Sequence, residues 1–132
     1  MALWGKKKTG TKITNYLKEK NISYQIEETI KTVIKFELCF TEKGFMLYPY
    51  ITLDENKDLI TFNVNVSQLN PKNNMFNIVN DINKKSIYLK AYVSEDNILV
   101  LEYRFNVIDD VTSAFDSIIS DLFSLENIIS EL

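Results

Sequence analysis

Apolar and polar residues alternate one by one in several stretches between Thr32 and Val107, and this limits the fold more than any other feature of the chain. In "KTVIKFELCFT", Ile34, Phe36, Leu38 and Phe40 alternate with Lys35, Glu37, Cys39 and Thr41. A period of two sends successive side chains to opposite sides of a pleated strand, so the stretch reads as a half-buried strand. In "FMLYPYITL", Phe45, Leu47, Ile51 and Leu53 take one side, and Met46, Tyr48, Tyr50 and Thr52 the other. Pro49 has no N–H to give a ladder, which predicts an edge or a bulge at that point. "DENKD" is a turn cluster. "LITFNVNVS" points Ile60, Phe62, Val64 and Val66 inward. "IYLKAYV" and "ILVLEYRFNV" complete the set, joined by "SEDN" as a tight hairpin.

Three segments follow helical spacing instead. Ile13, Tyr16 and Leu17 predict a short helix over Lys12 to Lys20, stopped near Asn21. In "NPKNNMFNIVNDINKK", Asn70 suits the cap and Pro71 the first helical position, ahead of an apolar stripe from Met75 to Ile82. Asp109 or Asp110 caps the last segment, "VTSAFDSIISDLFSLENIISEL", which is about six helical turns long. The expected fold is α+β, in the order α-β-β-β-α-β-β-α. A five-stranded antiparallel sheet carries helices on one face and leaves the other wet. The expected organisation is a flexible basic head, residues 1–11, and a single domain over 12–132. A chain of 132 residues is long enough to bury a real core.

Charge is unevenly spread within a net balance of −3. Residues 1–12 hold Lys6, Lys7, Lys8 and Lys12 and no acid. Residues 105–132 hold Asp109, Asp110, Asp116, Asp121, Glu126 and Glu131 and no base. An acidic body argues against a broad phosphate-binding face. No apolar stretch approaches the roughly 20 residues of a membrane helix. The chain turns polar directly after Lys8, without the apolar segment of an export signal. The expected location is the cytoplasm.

The chemistry-bearing residues are sparse. There is no histidine, the commonest acid–base group near neutral pH, and one cysteine, Cys39, which excludes an internal disulfide. "DENKD" brings Asp54, Glu55 and Asp58 together, but lacks the glycine and later glutamate of a calcium loop. Gly5, Gly10 and Gly44 are scattered and form no phosphate loop. The expectation is a protein that is not an enzyme, with no catalytic, cofactor or metal residues.

Two surfaces and the head remain as candidates. Apolar residues of the last helix cover well over half of its circumference, whereas a helix resting on one sheet needs a stripe of about 100° or somewhat more. Either another helix packs on its flank, or part of the face, with Ile119 and Phe123, meets a second subunit or a client. Tyr48, Tyr50, Tyr88 and Tyr92 project from the outward side of the sheet. Tyrosines there serve as plain strand formers or as anchors for a protein partner. Lys6, Lys7 and Lys8 form a weak phosphate-contacting group, or a solvated tether.

The element order resembles the type III secretion chaperone-like fold and, within it, the YbjN family. The likeness runs over residues 12–132 and is carried by the short helix "ITNYLKEKNI", by "SYQIEE" leading into a three-stranded meander, by the Asn70–Pro71 helix start, and by the final helix directly after the second hairpin. This resemblance implies a small acidic cytoplasmic protein, often dimeric, with no catalytic residue set. In the secretion branch such proteins hold an extended client segment; in the YbjN branch the role is regulatory or sensory. The leading expectation is therefore a non-enzymatic protein-binding module, chaperone-like or regulatory, acting as a homodimer. The alternative is a structural or accessory part of a larger assembly, such as a bacteriophage particle. Nucleic-acid binding through the head ranks last.

Overall fold

In the computed structural model, alternation is converted into pairing. The structure describes residues 2–28, 30–40, 45–54, 59–69, 74–106, 110–129 and 131–132, with backbone alone at 2–9, 40, 45 and 68. The strands are β1 (Tyr24–Glu28), β2 (Thr32–Phe36), β3 (Leu38–Phe40), β4 (Phe45–Leu47), β5 (Tyr50–Asp54), β6 (Leu59–Gln68), β7 (Lys90–Val93) and β8 (Ile98–Asn106). The helices are α1 (Ala2–Glu19), α2 (Met75–Lys85), α3 (Val111–Ser124) and the short α4 (Glu126–Ile129). Six strands form an antiparallel sheet in the order β1-β2-β5-β6-β8-β7, and β3 and β4 form a separate ribbon.

The α+β class with an antiparallel sheet is as expected, while the five-strand count is corrected to six plus a two-stranded ribbon. Two local causes explain the difference. The first two alternating stretches each break in the middle, at Glu37 and at Tyr48–Pro49. Pro49 cannot donate, yet its carbonyl accepts from the Phe36 N–H at 3.1 Å, and the Glu37 N–H turns to the carbonyl of Ser23 at 3.1 Å. "SYQIEE", read as a lead-in, is in fact an edge strand. Its polar composition hides it, because only Tyr24 and Ile26 stand on its apolar side.

One sheet face is largely apolar. Ile34, Phe36, Ile51, Leu53, Ile60, Phe62, Val64, Leu99 and Leu101 are buried there, against Ile13 and Leu17 of α1 and Val111, Phe115, Ile118 and Leu122 of α3. Phe115 is the hub of an aromatic cluster. Its ring centroid lies 5.0 Å from Tyr16, 5.6 Å from Phe36 and 6.2 Å from Phe62, all edge-on. The Tyr16 hydroxyl donates to Asp116 in a short hydrogen bond that ties α1 to α3. Burial first, then this bond and the Asp116 charge, push the Tyr16 phenol well above its ordinary range.

Helix ends follow sequence chemistry. Asn21 adopts φ 57° after α1, with Ile22 N–H to Leu17 O at 2.9 Å and Asn21 N–H to Lys18 O at 3.1 Å, a Schellman stop. The stop matches the expected one; the start does not, because α1 begins at Ala2 rather than near Lys12. The lysines and glycines of the head show no apolar period, so nothing in the sequence marked the extension. α2 is capped by Asn74, whose side chain accepts from Asn77 N–H at 3.2 Å. The expected cap, Asn70, and Pro71 lie outside the described residues. Asp110 caps α3 through Ser113 N–H at 3.0 Å, and Asp109 lies outside the described residues.

The loop from α2 to β7 is held by a buried carboxylate. Asp121 on α3 is only 6% exposed. It accepts from Ser86 Oγ at 2.7 Å and from the backbone N–H groups of Ile87 at 3.0 Å, Tyr88 at 2.9 Å and Leu89 at 3.1 Å. Burial pushes this acid up, but the four donors outweigh it and hold the carboxyl below its ordinary value of 3.8.

Two stability predictions follow from these contacts. Replacing Asp121 with Ala strands the backbone donors of Ile87 and Tyr88, while Leu89 keeps Ser86 Oγ, and should cost about 3 kcal/mol in urea unfolding. Because the folded pKa is the lower one, the contribution of Asp121 is full above the unfolded value and disappears as pH falls through the folded one. The stability difference between wild type and Asp121→Ala should therefore shrink below about pH 4. Gly10 lies within α1, and a Cβ there would meet Leu53 Cδ1 at 3.4 Å, an ordinary contact. Gly10→Ala should stabilise the fold by about 0.5–1 kcal/mol, measured in the same way.

Candidate protein-binding surface

The sheet face opposite the helices is polar and carries one continuous row. Gln25, Lys35, Tyr50, Asn63, Glu102 and Lys90 are register partners in turn, one from each of the six strands. Pairing fixes them side by side, because a one-residue slip would move every apolar side chain out of the core.

Glu102, on β8 next to the edge strand β7, anchors one end of this face. Its side chain is 14% exposed and forms a short ion pair with Arg104 Nε, whose side chain is 67% exposed. Tyr92 on β7 stands near enough to Glu102 to feel its charge. Burial first, then the neighbouring Glu102 carboxylate, raise the Tyr92 phenol, with a smaller contribution from Tyr50 and a small opposing one from Arg104. A cleft of about 430 Å³ is lined by Tyr88, Lys90, Tyr92, Glu102, Tyr103 and Arg104. It lies at the step where β7 begins opposite Glu102 while β8 runs on to Asn106. A second cleft of about 550 Å³ lies at the other end of the sheet. Tyr24, Gln25, Lys35, Glu37, Tyr48, Tyr50 and Asn65 line it, with Ser23 and Phe36.

Of the four expected tyrosines, Tyr50 and Tyr92 share the polar face. Tyr48, 62% exposed, sits in the link between β4 and β5 beside the second cleft. Tyr88 lies before β7, on the loop held by Asp121. Its ring is 5.6 Å from Tyr103, which in turn stacks at 5.4 Å on Phe105. Glu102, Arg104 and Lys90 were not singled out in the sequence. The alternation of "ILVLEYRFNV" already sets Glu102 and Arg104 opposite to Leu99 and Leu101, and that was the available signal.

The last helix tells a different story. Ile119 is 8% exposed and belongs to the core, while Phe123 is 36% exposed. Both line a groove of about 500 Å³ with Tyr16, Ile22, Leu38, Cys39 and Met46, where α1, α3 and the β3–β4 ribbon meet. Cys39 is exposed. The apolar surplus of α3 is mostly taken up by α1 and the sheet, as the first of the two sequence readings supposed. The side chains of Lys6, Lys7 and Lys8 lie outside the described residues, as do Glu55 and Asp58 of "DENKD". Among the described residues no group of three or more His, Cys, Asp or Glu side chains is placed to hold a metal ion. No described helix is long and apolar enough to cross a membrane.

A family model, YbjN, described as "Putative bacterial sensory transduction regulator", matches residues 9–115. No curated protein and no solved structure matches the chain.

The Tyr92–Glu102 contact can be read in solution. Glu102→Gln removes the charge and should bring the Tyr92 phenol back toward its ordinary value of 10.0. Ultraviolet tyrosinate titration, differenced against Tyr92→Phe, measures the change.

Proposed function

The chain belongs to the YbjN family, and on that premise we propose that it is a cytoplasmic, non-enzymatic regulatory adaptor that works through protein contact on the uncovered face of its sheet. The observation that supports this most is the grouping of Tyr50, Tyr92, Glu102 and Arg104 on rigid strands beside a cleft. Tyrosine and arginine are the side chains most often enriched where proteins meet, because each offers a large contact area with a polar end. A polar row across six strands, with Lys35, Glu102 and Lys90 as its charged members, gives a partner one register and orientation, while the two clefts accept its side chains. Holding an extended client, in the chaperone-like manner, is the narrower form of the same reading. A homodimer would form through the exposed rim of Phe123 and Met46, since Ile119 is committed to the core.

The test uses the tagged chain as bait in nuclease-treated lysate of its source, read by mass spectrometry beside a Tyr50→Ala/Tyr92→Ala variant of unchanged melting temperature. A stoichiometric protein captured by the wild type and lost by the variant is the expected result. Equal capture by both would move the contact off this face. Capture seen only in a parallel lysate without nuclease would replace the adaptor reading with nucleic-acid binding.

A further inference from the structure

The two edges of the sheet are treated differently. On β7, the Ser94 N–H to Ile98 O bond at 2.9 Å sets the hydrogen-bond phase, so the backbone groups of Ala91 face outward. Both are taken by one side chain: Asn83 Nδ2 donates to Ala91 O at 3.3 Å, and Ala91 N–H donates to Asn83 Oδ1 at 2.8 Å. Asn83 thus occupies the place of a further strand.

β1 has no such cover among the described residues. The Glu37 N–H to Ser23 O bond makes 23 and 37 a hydrogen-bonded pair, and the Phe36 N–H to Pro49 O bond points the other way, toward β5. By alternation, Gln25 and Glu27 bond to β2, and the N–H and C=O groups of Tyr24, Ile26 and Glu28 face outward. Around them the chemistry is apolar at the centre and acidic at one end. Ile26 is 47% exposed, and Glu27 and Glu28 are exposed. The nearby lysines are engaged by carboxylates, Lys35 with Glu27 at 2.9 Å and Lys31 with Asp54 at 3.6 Å.

We propose that β1 is a docking edge for an extended basic segment of a partner protein, which adds as a seventh, antiparallel strand, with an apolar residue opposite Ile26 and lysine or arginine opposite Glu28. The backbone ladder would supply affinity, and the Ile26 and Glu28 positions would supply the choice of partner. A second copy is disfavoured as occupant because its own β1 carries no lysine or arginine to set opposite Glu28; paired about Ile26, it would place Tyr24 there. This edge adjoins the second cleft through Tyr24 and Gln25, whereas Tyr92 and Glu102 lie toward the other edge of the sheet, and the proposal does not depend on them.

The probe is a short fluorescein-labelled peptide that carries a lysine and, two residues later, a valine in a threonine background, so that in antiparallel register they fall opposite Glu28 and Ile26, with glutamate in place of the lysine as control, titrated against the full chain by anisotropy and by backbone amide shifts. The expected result is salt-sensitive binding of the lysine peptide alone, with the largest shifts at Tyr24, Ile26 and Glu28. Ile26→Pro removes an outward donor without touching the β1–β2 ladder, and should weaken binding by about tenfold. Glu28→Lys should reverse the preference between the two peptides, and this variant carries the test if Ile26→Pro perturbs the fold. Equal binding of both peptides, no binding, or shifts centred on Tyr50 and Tyr92 would overturn the proposal. So would a β1-mediated dimer, seen by sedimentation and abolished by Ile26→Pro. Tyr92→Ala, at the opposite edge of the sheet, should leave peptide binding unchanged, so that failure here and failure of the sheet-face reading are told apart.

Discussion

The carboxylate of Asp121 is the interaction on which much of the architecture turns. It stands on α3, yet most of its partners lie in the segment that leads from α2 into β7. Two consecutive backbone N–H groups, those of Ile87 and Tyr88, would be left without partners if it were absent, and burial of unpaired donors is costly. Ser86 closes the arrangement by giving its hydroxyl to Asp121 and accepting the Leu89 N–H at 2.8 Å. With that loop held, α2 is brought along β7, where Asn83 can reach Ala91. Tyr88 is set against Tyr103 by the same loop. A single ionised group therefore sets the end of the sheet, the protection of one edge and part of the candidate surface.

The apolar core depends on a different junction. Phe115 meets rings from α1 and from two strands, so one side chain joins the helical layer to the sheet. This explains why α3 is so apolar without having to be a subunit interface. Its face is shared between the sheet and α1, and the Tyr16–Asp116 bond closes the flank where the apolar stripe gives way to acids. The helix then breaks at Leu125, whose N–H turns to Leu122 O at 3.1 Å, and α4 returns Ile129 to the core.

Much of this was legible in the sequence because it rests on local periodicity. The alternation of Ile60, Phe62 and Val64 and of Leu99 and Leu101 placed the central strands and their inward faces. "SEDN" gave the hairpin, where Asn97 takes φ 61° and its N–H bonds to Ser94 O at 3.0 Å. Asn21 marked the end of α1. What remained hidden depends on contacts distant in sequence or on backbone phase. Asp121 looks like one more acid on the polar side of a helix, and nothing local announces that it is buried. The break at Glu37 depends on Ser23 offering a carbonyl. β1 is polar because an edge strand has little to bury. For the candidate surface, the tyrosines stand out by residue type, whereas Glu102 gains its role only from the neighbours that pairing gives it.

Those neighbours decide what kind of recognition the face can support. Glu102 is mostly withdrawn from water while Arg104, its partner, is mostly exposed, so the pair is poised between two regimes. A fully solvated ion pair contributes little, and a fully buried one is expensive to form. A protein laid over this face would exclude water from Arg104 and Tyr92 without having to desolvate Glu102 afresh, because the fold has already done so. The added cost falls on one guanidinium that keeps its carboxylate, and the gain is a charge pattern locked to the strand register. Selectivity on such a surface comes from where six side chains are held, not from how much apolar area is covered, and that is the property a regulatory contact needs.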